Sequence, residues 1–126
     1  MLKEFSTLMV YVKDMDRSVA FYGDVLGLPL QMKSPGWSQL TLPNGVPLGL
    51  HPMREASDHS AGWLPGFSVD NIVAAKDHLE MAGVEITQDY HDIPGGVVLE
   101  FADPDGNRIT ISQMGISTAE IGSTSG

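Results

Sequence analysis

A repeated order of one strand, one helix and three strands constrains the fold of this chain most strongly. The first half begins with an apolar, β-branched run at residues 8–14 and continues into a helical stripe over 16–27, which ends at a glycine suited to a left-handed cap. Three short strands are predicted over 28–33, 37–42 and 46–51. Pro-Gly and Pro-Asn-Gly turns separate them. The first half is therefore predicted to be a βαβββ module.

The second half follows the same order of elements. A short strand at residues 67–71 leads into a helix over 72–83, and further strands are predicted at 84–90, 96–102 and 107–113. Neither half is long enough to make a good core alone. The pattern therefore predicts an α+β fold built from two βαβββ modules with mostly antiparallel strands.

Chain length and local composition set the expected boundaries. A chain of 126 residues is expected to form a single domain over residues 1–113. Module 1 is placed at about 5–53 and module 2 at about 64–113, joined by a polar linker at 54–63 that is rich in Pro, Gly and Ser. Residues 114–126 lack apolar periodicity and are predicted to be a flexible tail.

Charge and cysteine content argue against several classes of function. The chain has 16 acidic and 7 basic residues and a net charge of −9, which disfavours partners such as nucleic acid or an anionic membrane surface. No apolar run approaches the ~20 residues of a membrane span. With no cysteine, disulfides and cysteine-ligated metals are impossible. We therefore expect a cytoplasmic protein that binds neither nucleic acid nor membranes.

Two motifs carry a resemblance to a known family. They are VKDMDRSVAFYGDVLGL at residues 12–28 and FADPDGNRITI at residues 101–111, and they resemble the vicinal oxygen chelate superfamily of glyoxalases, bleomycin resistance proteins and extradiol dioxygenases. The resemblance covers about residues 5–113. It implies the glyoxalase/bleomycin resistance fold, in which the strands of each module curl into a cup that holds the ligand. The motif residues cap helices, pack and form turns, so they indicate the fold and not the activity.

The resemblance also implies where a metal would bind. Metal-dependent members carry four ligands, commonly His, Gln and Glu, one on the first and last strand of each half. The matching positions here are Thr7, Gly49, Leu64 and Thr110. None supplies an imidazole or a carboxylate, and a neutral threonine hydroxyl is a poor ligand. We therefore predict no metal site and no cofactor.

A displaced metal site is the alternative. His51 lies two residues beyond Gly49 and so shares its strand face, although a ligand contact at the rim of the cup is its expected role. Glu100 could look inward, but an exposed strand glutamate is commoner. With such ligands the protein would be a metal-dependent lyase, isomerase or dioxygenase. No histidine pair has metal-ligand spacing and no nucleophile motif is present, so the catalytic residues stay unknown.

Without a metal, the cup is predicted to bind a small, possibly aromatic molecule. Alternation along the strands places small polar groups, a methionine and a tyrosine toward the ligand, and tryptophans near strand ends can stack on a flat ring. The predicted ligand contacts are Thr7, Met9, Tyr11, Trp37, His51, Trp63, Thr110 and Ser112. Ordinary packing or a dimer contact is the alternative role for both tryptophans.

The sequence thus favours a metal-free binding protein, similar to the drug-sequestering branch of the superfamily. That resemblance implies a homodimer whose partner is a small-molecule ligand. A third possibility is a structural or regulatory module whose cup is filled by its own side chains.

Overall fold

The computed structural model describes residues 1, 3, 5–55 and 64–125. The chain divides into two compact units, Met1–Ala61 and Gly62–Gly126, and this boundary falls within the predicted linker. Each unit contains one four-stranded sheet of mixed direction. The predicted α+β fold of two βαβββ modules is confirmed.

The first unit follows the predicted order. Its elements are β1 (Leu8–Val12), α1 (Met15–Ala20), a π-helical turn (Phe21–Val25), β2 (Leu30–Met32), β3 (Ser38–Thr41) and β4 (Pro47–Pro52). The sheet order is β1-β4-β3-β2, in which only the β1–β4 pair is parallel. Asp14 begins the helix, because its Oδ1 accepts the N–H of Arg17 at 3.1 Å. The predicted helix over 16–27 therefore exists, but its last turn is π-helical.

The core of the first unit lies on the sheet face that packs with α1. Alternate strand residues such as Val12, Leu48 and Leu50 are buried, as are Val19 and Phe21 of the helical segment. Burying an aliphatic or aromatic side chain of this size contributes about 1.5–3 kcal/mol. The opposite face of the same sheet is therefore the one left for a ligand.

The second unit repeats this arrangement with longer strands. Its elements are β5 (Gly66–Ser68), α2 (Ile72–Met81), β6 (Ile86–Ile93), β7 (Gly96–Ala102), β8 (Arg108–Met114) and α3 (Thr118–Ser125). The sheet order is β5-β8-β7-β6, in which only the β5–β8 pair is parallel. Asn71 caps α2 by accepting the N–H of Ala74 at 3.0 Å. Ile72 and Leu79 of α2 are buried with Leu99 of β7.

The Asp-Pro-Asp-Gly-Asn turn between β7 and β8 has the structural role predicted for it. Oδ1 of Asp103 accepts the backbone N–H groups of Asp105 at 2.9 Å and Asn107 at 2.8 Å. Gly106 has a φ of 84°, which favours glycine. The carboxylate of Asp103 is thus used by the backbone of its own turn.

The structure differs from the predicted flexible tail, because α3 forms there. Asp92 accepts the backbone N–H of Thr118 at 2.9 Å with Oδ1 and its hydroxyl at 2.8 Å with Oδ2. Ser117 Oγ accepts the N–H of Glu120 at 3.4 Å, and Ile121 is buried. The contacts with Asp92 come from tertiary structure, which apolar periodicity does not report. In the described part of the chain, no helix is long and apolar enough to cross a membrane.

Candidate ligand-binding site

A tryptophan ring covers the centre of the sheet face opposite α1 in the first unit. Trp37 directly precedes β3, and the benzo ring of its indole lies over Gly49 of β4. A Cβ added at Gly49 would overlap with Cη2, Cζ2 and Cζ3 of that ring. The indole N–H donates to Oε1 of Gln39 at 3.3 Å. Any side chain at position 49 would therefore have to displace the indole.

Two serines hold the loop that presents Trp37. The Ser34 hydroxyl donates to the Trp37 carbonyl at 2.6 Å and accepts the Trp37 N–H at 3.2 Å. The buried Ser38 hydroxyl accepts the Ser34 N–H and donates to the Ser34 carbonyl, both at 3.3 Å. These bonds fix the backbone on both sides of the Pro-Gly turn. The indole is thus carried by a preorganised loop.

His51 and Tyr11 extend the same face. In the parallel β1–β4 pair, Tyr11 lies beside His51 and Met9 beside Gly49. The ring of His51 lies edge-on to Tyr11, with centroids 5.5 Å apart, and edge-on to Trp37 at 6.5 Å. Met9 is 41% exposed. We call Met9, Tyr11, Trp37 and His51 the aromatic face; the structure brings together these four predicted ligand contacts.

The hydrogen bond of His51 defines its tautomer. Nδ1 lies 2.8 Å from the carbonyl oxygen of Pro52. Because a carbonyl oxygen can only accept, Nδ1 carries the hydrogen. In the neutral ring, Nε2 is then the acceptor. The aromatic face therefore offers an acceptor to a ligand hydroxyl or N–H group.

The second unit presents a polar row on the sheet face opposite α2. Gly66, Thr110 and Glu100 lie side by side across β5, β8 and β7. The Thr110 hydroxyl donates to the Pro65 carbonyl at 3.3 Å. Ser112 lies two residues further along β8, on the same face. The predicted contacts Thr110 and Ser112 thus share a face with each other, in the second unit.

Glu100 faces inward, contrary to the commoner exposed orientation. It is only 8% exposed, and its Oε2 accepts the Thr87 hydroxyl at 2.7 Å. Nη1 of Arg108 lies 3.8 Å from the same oxygen. Thr87 follows Ile86, which pairs with Phe101, and so it lies opposite Glu100 where a bulge in β6 begins. Glu100 is therefore a buried carboxylate on the polar row.

The remaining two predicted contacts lie outside these clusters. Thr7 directly precedes β1 and is exposed. Trp63 lies outside the described residues. Their contact with a ligand stays a prediction.

Three ionisable groups with displaced pKa values lie at or beside an ion pair between α2 and β6. Nζ of Lys76 lies 2.8 Å from Oδ1 of Asp89, and this hydrogen bond raises the pKa of Lys76 and lowers the pKa of Asp89. Burial raises the pKa of the neighbouring Tyr90, whose ring centroid lies 4.7 Å from Nζ of Lys76. The ion pair and the burial of Tyr90 explain these pKa shifts without a catalytic role.

Comparison with known protein families shows which family the chain belongs to. The sequence profile of the Glyoxalase/Bleomycin resistance protein/Dioxygenase superfamily matches residues 4–111. The chain belongs to this superfamily. No protein of curated function matches this superfamily member significantly.

Several solved structures share the fold of this superfamily member. A lactoylglutathione lyase from Agrobacterium tumefaciens has 22% identity and a TM-score of 0.71, with 90% of this chain and 95% of that chain covered. The antibiotic-binding protein TnmS3 from Streptomyces sp. CB03234 has 24% identity and a TM-score of 0.71, with 90% and 97% covered. The oxidase ChaP-H2 has 23% identity and a TM-score of 0.73, with 90% and 94% covered. At these identities the likeness shows the fold alone.

The residues of this superfamily member do not fit the metal site that the family implies. The four corresponding positions hold Thr7, Gly49, Leu64 and Thr110. Gly49 lies under an indole, and the Thr110 hydroxyl already donates to a backbone carbonyl. Two neutral hydroxyls without an imidazole or a carboxylate are a poor donor set for a divalent cation. Within residues 5–55 and 64–125, no three His, Asp or Glu side chains group as metal ligands.

Two residues that contact the candidate site residues, Gln39 and Thr87, were not identified from the sequence. Gln39 lies beside Gly49 in the β3–β4 register, where it holds the indole N–H. The Ser-Pro-Gly-Trp-Ser run at residues 34–38 was the available signal, because serines on both sides of a turn commonly bond its backbone. Thr87 had no such signal, because its contact with Glu100 depends on how β6 pairs with β7.

Proposed function

We propose that this protein binds a planar aromatic small molecule on its aromatic face, without the metal of its catalytic relatives. The observation that carries the proposal is the indole of Trp37 lying over Gly49. A flat apolar ring stands where metal-dependent members of the family carry a ligand side chain. This substitution exchanges a coordinating group for a stacking surface.

The aromatic face has the features that aromatic recognition needs. The loop hydrogen bonds preorganise Trp37, so little side-chain entropy is lost when a ring stacks on it. An offset or edge-on aromatic pair contributes about 0.5–1.5 kcal/mol beyond the area it buries. Met9 can adapt to the outline of the ligand. Nε2 of His51 can accept a hydrogen bond from a phenolic hydroxyl.

The fold relatives are compatible with binding and with catalysis. One is named as an antibiotic-binding protein, and others as a lyase and an oxidase. The donor set at the four family positions favours binding, because it supplies no strong metal ligand. A displaced metal site has no comparable support among the described residues.

Nuclear magnetic resonance titration of the Trp37 indole N–H tests the proposal. The Trp63→Phe variant leaves a single indole signal, and the probes are 2-naphthol and its donor-free analogue 2-methoxynaphthalene. Both are expected to shift this signal saturably, with 2-naphthol several-fold tighter. His51→Phe should remove the difference between the probes, and Trp37→Ala should abolish the thermal stabilisation that 2-naphthol gives to the parent protein. An indole signal unmoved by both probes up to their solubility limits would mean that Trp37 only fills its own face.

A further inference from the structure

We infer that Glu100 forms a separate subsite in the second unit, which binds a cationic N–H donor such as an ammonium or amidinium group. The subsite lies on the polar row opposite α2. It is defined by Glu100, Thr87, Arg108, Gly66 and Thr110. This subsite would select positively charged ligands. It consists of residues other than those of the aromatic face.

One oxygen of the Glu100 carboxylate is left for a ligand. The Thr87 hydroxyl and the Arg108 guanidinium both approach Oε2, and no group of residues 5–55 and 64–125 bonds Oε1. Within the described residues, every fully buried polar side-chain atom has a partner. Oε1 has none, and so it still reaches solvent although the residue is only 8% exposed.

The β8 residue paired with Glu100, Thr110, directs its hydroxyl away from this oxygen. Thr110 lies between Gly66 and Glu100 in the sheet register, and a Cβ added at Gly66 would lie 2.9 Å from Oγ1 of Thr110. The Thr110 hydroxyl hydrogen is directed to the Pro65 carbonyl and so does not satisfy the carboxylate. The Thr110 hydroxyl therefore lies toward β5, on the side away from Glu100.

The charge of Glu100 is only partly compensated inside the protein. Direct charge-assisted hydrogen bonds have N–O distances of about 2.7–2.9 Å. Nη1 of Arg108 lies 3.8 Å away, and the Arg108 side chain is 54% exposed. A buried carboxylate needs donors to offset its desolvation. A ligand ammonium or amidinium can supply them at Oε1, and the net charge of −9 favours the approach of a cation.

Benzamidine and its neutral analogue benzamide are the probes for this subsite. In a backbone-amide NMR titration, benzamidine should shift the Glu100 and Thr110 signals saturably, and benzamide should bind at least tenfold more weakly. Glu100→Gln should weaken benzamidine binding at least tenfold. The glutamine side-chain oxygen can still accept the Thr87 hydroxyl, so the local structure is retained. Glu85→Gln, on an exposed residue, is the matched control and should bind like the parent protein.

Arg108→Gln separates a ligand site from a purely structural ion pair. Removing the competing guanidinium should strengthen benzamidine binding several-fold, whereas a structural pair predicts lower stability without tighter binding. Equal affinity in the parent and Glu100→Gln proteins, or equal affinity for both probes, would overturn the inference. Trp37→Ala should retain benzamidine binding, so a failure of the aromatic proposal can be told from a failure of this one.

Discussion

Trp37 and Gly49 are mutually dependent, because the indole occupies the space that a side chain at position 49 would need. We predict that Gly49→Ala lowers the free energy of unfolding by about 1–3 kcal/mol, the usual cost of overpacking. In a Trp37→Ala background the same substitution should be nearly neutral. Urea unfolding of the four proteins measures the coupling. Equal costs in both backgrounds would show that the indole does not rest on Gly49.

The residues at the four family metal positions also predict how much metal the protein contains. Protein purified without chelator should contain divalent metal well below one equivalent by elemental mass spectrometry, since the four family positions lack strong ligands. His51→Ala and Glu100→Ala serve as comparison variants. Stoichiometric metal in the parent protein that is lost in either variant would favour a displaced metal enzyme and overturn the proposed function.

Among the structural elements, the loop at residues 34–38 matters most for the aromatic face because it positions Trp37. Ser34→Ala removes two hydrogen bonds to the Trp37 backbone, each worth about 0.5–1.5 kcal/mol. We predict a stability loss of about 1–3 kcal/mol and a broadened Trp37 indole signal. Ser6→Ala, on an exposed serine, is the matched control. An unchanged indole signal in Ser34→Ala would contradict the preorganised loop.

Attachment of α3 is predicted to depend on pH through Asp92. The backbone N–H and then the hydroxyl of Thr118 lower the pKa of Asp92 by bonding its ionised form. A carboxylate with a lowered folded-state pKa stabilises the structure above its unfolded-state pKa of about 3.9, and this contribution is lost as the pH falls through the folded-state value.

Chemical shifts of Thr118 and Ile121 between pH 7 and pH 2.5 measure this loss. The shifts should move toward random-coil values only below about pH 4. Asp92→Ala should show the detached values already at pH 7, and the exposed Asp77→Asn variant should behave like the parent protein. Retained α3 shifts in Asp92→Ala would show that Asp92 does not hold the helix.

Elements with a strong local signal were predictable from the sequence. The second helix was placed correctly because its apolar stripe starts after Asn71 and ends before Gly83, which has a φ of 76°. By contrast α3 was missed, although Ser117 and Glu120 have the spacing of a capping box. Eight residues are too few for an isolated helix, so its formation depends on tertiary contacts.

The candidate site was predictable only as far as strand alternation extends. Period two placed Met9 and Tyr11 on one face and aligned His51 with them, as the β1–β4 register shows. The position of Trp37 over Gly49 was not predictable, because it depends on a loop conformation and on pairing between different strands. The contact of Glu100 with Thr87 likewise depends on the pairing of β6 with β7.

For the whole molecule, the two units share an order of elements but differ in the chemistry of the face left open by their helices. The first unit presents aromatic rings around Gly49, and the second presents a carboxylate beside Thr110. A fold repeated within one chain thus presents two chemically different surfaces. This is why 2-naphthol and benzamidine test separate proposals, one for the aromatic face and one for Glu100.

We also propose that the protein is a homodimer, as its resemblance to the superfamily implies. Leu30 and Met32 are each 48% exposed on β2, which lies at the edge of its sheet. Apolar side chains on an exposed edge strand favour pairing with another chain. Light scattering after size exclusion should therefore give a mass of twice the 13.5 kDa chain.

A lysine at the β2 edge tests whether this strand contributes to the dimer. Leu30→Lys and Met32→Lys should shift the population toward monomer, because a buried lysine would lose its hydration in the interface. Met81→Lys is the matched control, since Met81 is 90% exposed on α2 and should leave the mass unchanged. A monomeric parent protein would exclude the homodimer. A dimer unaffected by both β2 variants would place the interface on another surface.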